Sequence, residues 1–396
     1  MDNNNVWVAV IAGGQGTRLF PISHADRPKQ FCQLDKDNTF IQAAIKNFVD
    51  LGIKPSQFVI VTTSENQTEL AKEQVLQRGI LSQNIFQIDP DLGYAAAMYM
   101  ATKFVSELDK DAIVINTPSD QYIAADDDEF FYTMKAAVEQ ARNNHPVIVG
   151  VKVNDLVTAT GCGHALYEDF GDKGCYSVTG FVEKPNAKKA DKLMRAGNSA
   201  CNTGINVWKA QTLLKAVDER DIKGMGTDEL MGSFDNLKIA VGNFEWHDCG
   251  TLKSLYEISK KTPNHKNASL GPGQFERIEC RRSLLYAADG MELRVTGAKD
   301  DAVIFTTINE KPIVVVAKLG ESQRIKALAE DYVKHEDFLT DDFSFGARNN
   351  IVLGSNISDD LIVGFVGVRN YAVYVHKEPD GTLEAAVSQQ LVRDEK

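Results

Sequence analysis

The stretch from Ile11 to Phe31 carries the densest set of residues that could do chemistry. An apolar run ends in Gly13-Gly14-x-Gly16, Arg18 follows, and Pro28-Lys29-Gln30-Phe31 closes the segment. Glycines placed after a strand let backbone N–H groups approach phosphate oxygens that a Cβ would block. A concave run of amides then binds an anion without net positive charge. The spacing fits neither the dinucleotide fingerprint G-x-G-x-x-G nor the P-loop, because no Lys-Ser/Thr pair closes it. A tight glycine turn would account for the glycines alone, but not for Arg18 or for a lysine whose local backbone Pro28 fixes. Asp120 stands two residues after Pro118, at the end of an apolar run, where a carboxylate suits a hard cation. Glu183-Lys184-Pro185 ends an alternating run with two adjacent opposite charges, which a surface ion pair would also explain.

These residues need a scaffold, and the hydrophobic pattern supplies one. Apolar runs at 7–11, 58–62, 111–116 and 146–150 read as buried strands. The segments 39–50, 66–78, 94–108 and 127–143 between them have helical periodicity, so the chain is α/β with a doubly wound, mostly parallel sheet. From 151 to 260 the pattern loosens into paired strands at 161–165 and 176–182 and a helix at 187–196. Turn formers concentrate at 262–274, which sets the expected boundary between a domain at 1–262 and a smaller β-rich domain at 275–396. In the latter, 295–304 and 365–374 share a strand, G-x-[KR]-[DN] turn, strand pattern and are expected to be two related hairpins, with a helix at 321–335 between them.

Composition narrows the function. The 396 residues hold 43 Lys+Arg against 55 Asp+Glu, a net charge of −12, which argues against a nucleic-acid partner. No run approaches the roughly 20 apolar residues of a membrane span. The first residues lack the basic n-region of a secretory signal, so a cytoplasmic location is expected. The six cysteines form no C-x-x-C pair and the seven histidines no H-E-x-x-H motif, which removes the common zinc sites. Reduced thiols acting as small packing residues are the expectation for the cysteines, Cys162, Cys201 and Cys249 included, and structural roles for His164 and His247.

The motif G-G-x-G-T-R-L-x-P-x-S followed by P-K-Q-F resembles the opening of the sugar-1-phosphate nucleotidyltransferases, most closely the mannose-1-phosphate guanylyltransferases. The likeness continues in family order through 116–120, 160–163, 181–185, 202–204 and 246–250, covering about residues 6–260. More weakly, 321–328 resembles the segment that ends the core of the bacterial guanylyltransferases. The resemblance implies a Rossmann-like nucleotidyltransferase domain. It also implies a cytoplasmic enzyme of nucleotide-sugar biosynthesis that moves a nucleotidyl group from an NTP to a hexose-1-phosphate and releases pyrophosphate. GTP and mannose-1-phosphate are the favoured pair, and a homo-oligomer is left open.

By the same resemblance Arg18 and Lys29 are the catalytic cations, and Ala12, Gly13, Gly14, Gly16, Thr17 and Gly93 line the nucleotide. Gly163, Glu183, Lys184 and Asn202 take the sugar phosphate, and Asp120 and Asp248 hold Mg²⁺. For Asp248 a helix N-cap is the plain alternative. Two departures stand out. Gln121 replaces the histidine that usually follows the first aspartate, and no role is assigned to it. The run 89–97 replaces R-N-T-A-P-A with a sequence partly like the thymidylyl and uridylyl relatives, which opens dTTP or UTP as alternative donors. A non-catalytic sensor of NDP-sugars is a further alternative, weakened because all six charged site residues remain.

Overall fold

The computed structural model describes residues 3–14, 16–35, 37–124, 128–172, 174–308, 311–334, 350–353, 362–366, 371–377 and 383–389. The described chain forms two compact units. One comprises residues 1–13 and 41–248, the other 14–40 and 249–396. The segment carrying Arg18 and Lys29 therefore clusters with the C-terminal part of the chain, and each unit is discontinuous in sequence.

The first unit is built on a nine-stranded sheet. Its strands are β1 (Val6–Ile11), β2 (Phe58–Thr62), β3 (Ile85–Gln87), β4 (Ile113–Pro118), β6 (Val147–Val151), β7 (His164–Asp172), β8 (Cys175–Val182), β9 (Ser199–Lys209) and β10 (Lys238–Gly242). A separate ribbon pairs β5 (Tyr122–Ile123) with β11 (Trp246–His247). The sheet order is β3-β2-β1-β4-β9-β6-β10-β8-β7. Strands β1 to β4 are parallel to one another, as are β6 and β10, and β9 runs antiparallel between β4 and β6. Continuous apolar runs such as Val8, Val10, Val59 and Val114 are buried because helices cover the sheet.

Four helices follow the early strands: α1 (Phe40–Asp50), α2 (Glu65–Val75), α3 (Gly93–Leu108) and α4 (Asp128–Arg142). Helix α3 packs Ala95, Ala96, Ala97 and Ala101 into the core that holds Ala9, Val59 and Val114. Small side chains let its backbone lie close to β1 and β2. Two further helices, α5 (Leu156–Gly161) and α6 (Ala187–Ala196), flank the β7–β8–β9 part and are capped by Asp155 and Asn186.

The second unit is β-rich. Two five-stranded sheets share a core of Leu285, Leu293, Val303, Phe305, Val314, Ala385 and Val387. The helix Ser322–Lys334 packs against the turn Thr17–Leu19. The expected hairpins are not hairpins. Strands Met291–Thr296 and Asp301–Ile308 lie in different sheets, as do Ile362–Val366 and Tyr371–Lys377. In the first pair Gly297 (φ +75°) and Asp300 (φ +60°) occupy the left-handed region, and the chain crosses from one sheet to the other instead of folding back on itself. The second turn, 367–370, lies outside the described residues. Among the described residues, no helix is long and apolar enough to cross a membrane.

Candidate active site

In the first unit several of the expected site residues follow the ends of sheet strands. The strand order reverses direction between β1 and β4, and open α/β sheets bind ligands at the carboxyl ends of strands flanking such a point. Ile11 and Pro118 are register partners, and the Ser119 N–H donates to the Ile11 carbonyl at 3.2 Å. Ala12 and Gly13 thus leave the sheet beside Ser119 and Asp120. Gly13 is needed for close approach: a Cβ there would meet Thr63 Cγ2 at 2.5 Å. The Thr63 hydroxyl donates to the Gly13 carbonyl at 3.0 Å.

Asp120 and Asp248 arrive from the two strands of the small ribbon. Tyr122 pairs with His247 and Ile123 with Trp246, antiparallel, so the same register taken one step further sets residue 248 opposite residue 121. Helix Leu252–Ile258 is capped by Thr251, whose hydroxyl accepts from the Ser254 N–H at 3.0 Å. Asp248 is therefore not the N-cap, and it is exposed at the surface. Cys249 beside it is held at φ +52°, a conformation that costs a non-glycine residue about 1–3 kcal/mol and tends to mark functional turns.

Two residues to which the sequence attached no role connect these carboxylates to the rest. Gln121 accepts from the Trp246 indole N–H at 2.9 Å and donates to the Thr203 carbonyl at 2.6 Å. It spans from the Asp120 strand to the strands carrying Asn202 and Asp248. The Tyr94 hydroxyl is buried without a hydrogen-bond partner. Its acidity is suppressed by burial and, secondarily, by the nearby Asp120 carboxylate. A buried orphan hydroxyl beside a carboxylate points to a missing ligand. Carboxylates such as Asp120 and Asp248 are hard oxygen donors and would suit Mg²⁺ better than a soft metal. A signal existed in the sequence for Gln121, since it follows Asp120 directly. None existed for Tyr94, whose neighbourhood depends on how α3 packs.

The residues expected to take the sugar phosphate lie within β9 or at the ends of β7 and β8. The Asn202 N–H donates to the Gly163 carbonyl at 2.8 Å, and Asn202 Oδ1 accepts from the Gly204 N–H at 2.9 Å. A Cβ at Gly163 would lie 2.5 Å from Glu183 Oε2, so the glycine makes room for that carboxylate. Glu183 and Lys184 are exposed and form an ion pair at 3.1 Å. Lys184 is held at φ +35°, a backbone state a plain surface lysine does not require. Gly93 opens α3 at φ +84°, with open space where a Cβ would stand.

Gly14, Gly16, Thr17, Arg18 and Lys29 belong to the second unit. Gly16 (φ +70°) packs so closely on Lys29 that an added Cβ would clash with the Lys29 Cβ. The Ser23 hydroxyl donates to the Gly16 carbonyl at 2.5 Å and Gln30 Nε2 to the Gly14 carbonyl at 2.9 Å, fixing the loop. Lys29 is 3% exposed, its ammonium 5.3 Å from the centroid of the Phe40 ring. That burial is not the environment of a solvated surface lysine. Arg18, by contrast, is exposed.

The cysteine expectation needs correcting. Cys162 and Cys201 form a disulfide, whereas Cys32, Cys175, Cys249 and Cys280 are buried and keep their thiols. The two half-cystines come together because β7 and β9 pair with His164 opposite Cys201. His164 itself is 1% exposed and structural: its Nε2 lies 2.8 Å from the Ala159 carbonyl.

Comparison with known proteins gives the family of the chain. The family profile described as nucleotidyl transferase matches residues 8–265. Mannose-1-phosphate guanylyltransferase from Sinorhizobium fredii is 25% identical over 81% of this chain and 69% of its own length. Mannose-1-phosphate guanylyltransferase 2 from Escherichia coli O157:H7 is 24% identical over 85% of this chain and 77% of its own. Among solved structures, mannose-1-phosphate geranyltransferase from Thermus thermophilus superposes with a TM-score of 0.66 at 21% identity, covering 83% of this chain and 99% of that one, which supports the fold. With a signature loop, a switch-point carboxylate and a family match over most of its length, the chain belongs to the nucleotidyl transferase family and is an enzyme of its sugar-1-phosphate branch.

Proposed function

We propose that the protein joins GTP to mannose-1-phosphate, giving GDP-mannose and pyrophosphate. The observation that carries this reading is the segment from Gly13 to Phe31, whose glycines, exposed Arg18 and buried Lys29 suit the binding of a triphosphate. The names of relatives aligned over about four-fifths of the chain support the substrates. The stretch 1–262 carries every residue assigned to the chemistry, and the β-rich stretch 275–396 follows it in sequence.

The reaction is attack of a sugar-phosphate oxygen on the α-phosphorus of the nucleotide. The nucleophile is already ionised, so the barrier comes from repulsion between anions and from charge on the leaving group, and positioned cations are what the reaction needs. Arg18 and Lys29 meet the triphosphate, with backbone amides of Gly13, Gly14 and Gly16 and contacts from Ala12, Thr17 and Gly93. Lys184 meets the sugar phosphate, Glu183 and Asn202 hydrogen-bond sugar hydroxyls, and Gly163 leaves space for Glu183. Asp120 and Asp248 would hold Mg²⁺, which would supply positive charge to the departing pyrophosphate. No thiol or histidine is needed as a nucleophile.

The base is the finer point. Gly93-Tyr94-Ala95 offers backbone groups in place of the side chains expected for guanine. A pocket without such side chains discriminates by roughly 10–200-fold, compared with 10⁴ or more for a hydrogen-bonding one. GTP is used best, and dTTP or UTP measurably. Pyrophosphate release across the four NTPs with mannose-1-phosphate tests this. Exclusive use of a pyrimidine nucleotide would overturn the GTP assignment.

A further inference from the structure

The Cys162–Cys201 disulfide sits inside the stretch assigned to the sugar phosphate. Cys162 directly precedes Gly163, and Cys201 directly precedes Asn202. The two following residues are themselves joined, through the Asn202 N–H and the Gly163 carbonyl at 2.8 Å. His164 pairs with Cys201 on one side and with Val182, the residue before Glu183, on the other. Three proposed sugar contacts, Gly163, Glu183 and Asn202, thus flank one covalent link between the end of α5, just before β7, and β9.

The pair differs from the chain's other cysteines in state: Cys32, Cys175, Cys249 and Cys280 are buried and keep their thiols. Burial pushes the Cys32 thiol up to about 12 and raises that of Cys280, so both stay protonated and unreactive. Both half-cystines are buried, and Cys162, at 8% exposed against 0% for Cys201, is the nearer of the two to solvent. Cys162, His164 and Cys201 also bring their donor atoms within 4.8 Å of one another, a grouping that could suggest a metal. In the oxidised form the two sulfurs are bonded to each other, with His164 Nε2 3.7 Å from Cys162 Sγ and 3.8 Å from Cys201 Sγ, so the cluster offers no thiolate to a metal.

We propose that Cys162–Cys201 is a reversible thiol-redox modification site that sets affinity for the sugar-1-phosphate. The inference rests on the nucleotidyltransferase reading above. A dithiol reductant attacks Cys162 Sγ as its thiolate, the S–S bond breaks, and Cys201 leaves as a thiolate that takes a proton. The reductant's second thiol then attacks the mixed disulfide and releases Cys162. Two electrons and two protons pass to the protein, and the reductant becomes a cyclic disulfide. A peroxide reverses the change: the Cys162 thiolate takes one oxygen to give a sulfenic acid and water, and the Cys201 thiol displaces a second water to reform the bond. In the reduced form β7 and β9 keep their hydrogen bonds but lose the covalent link holding Gly163 against Asn202.

The test uses the full chain. Alkylation under denaturing, non-reducing conditions followed by intact mass should count four thiols before dithiothreitol and six after, with peroxide restoring four. Steady-state kinetics of the two forms should show KM for the sugar-1-phosphate at least about fivefold higher after reduction, with KM for the NTP within about twofold. Cys162→Ala/Cys201→Ala should resemble the reduced form under both conditions. Six thiols before and after peroxide would overturn the proposal, with or without zinc found in the protein. So would a reversible disulfide whose two forms share one KM. Absence of pyrophosphate release in both forms would instead overturn the nucleotidyltransferase reading, while the thiol count, which needs no turnover, still decides the disulfide.

Discussion

Two neighbouring glycines separate a phosphate cradle from a plain tight turn. Gly16 has φ +70°, and an added Cβ there would collide with the Lys29 Cβ. An alanine pays about 1–2 kcal/mol for the left-handed backbone and about 1–3 kcal/mol for the overpacking, or roughly 2–5 kcal/mol in sum. Against a typical total of about 5–15 kcal/mol the variant folds but is visibly weakened. Gly14 is the opposite case. It has no left-handed φ, and an added Cβ would meet nothing within 4 Å. Gly14→Ala should therefore change stability by no more than about 0.5 kcal/mol. If the Gly14 backbone faces phosphate, the new methyl stands in the way of the ligand, and the loss of one such contact costs about 10²–10³ in turnover. Denaturant melts of both variants, beside a coupled pyrophosphate-release assay, read stability and activity separately. Wild-type turnover in a stable Gly14→Ala would refute the cradle and leave only a turn.

Arg18→Ala and Lys29→Ala should each lower turnover by roughly 10²–10³-fold through lost charge stabilisation. Arg18→Ala, at an exposed position, should leave the melting curve unchanged, and near-wild-type turnover in both would remove their catalytic assignment. Activity should require Mg²⁺, vanish with EDTA, and fall steeply in Asp120→Ala and Asp248→Ala. Because Thr251 and not Asp248 caps the following helix, Asp248→Ala should melt within about 0.5 kcal/mol of wild type; a loss of stability without loss of activity would contradict the metal role. Gln121→Ala should leave the Trp246 indole N–H unsatisfied, at about 1–3 kcal/mol in a denaturant melt. It should also lower kcat, because Gln121 ties the Asp120 strand to Thr203 and Trp246; unchanged kcat would show that the link is structural only.

The buried strands of the first unit were legible because each is a short continuous apolar run. The expected 7–11, 58–62, 111–116 and 146–150 correspond to Val6–Ile11, Phe58–Thr62, Ile113–Pro118 and Val147–Val151. Helices expected at 39–50, 94–108 and 187–196 appear at Phe40–Asp50, Gly93–Leu108 and Ala187–Ala196, since 3–4 spacing is a local property. The pairing of His164 and Ala165 with Val182 and Phe181 was likewise within reach of alternation. What escaped depends on contacts between distant segments. Cys162 and Cys201 are 39 positions apart, and only the antiparallel register of β7 on β9 joins them. The Gln121 bridge needs Thr203 and Trp246 beside it. The strand-turn-strand patterns looked like hairpins because a turn motif does not state which sheet receives the next strand.

Transfer of a nucleotidyl group to a sugar-1-phosphate is read most directly as pyrophosphate release over a grid of four NTPs and several hexose-1-phosphates with Mg²⁺. Release should depend on both substrates, be greatest for GTP with mannose-1-phosphate, and be accompanied by one equivalent of nucleotide-sugar. Failure of every pair to release pyrophosphate, or release that proceeds equally well without a sugar-1-phosphate, would contradict it.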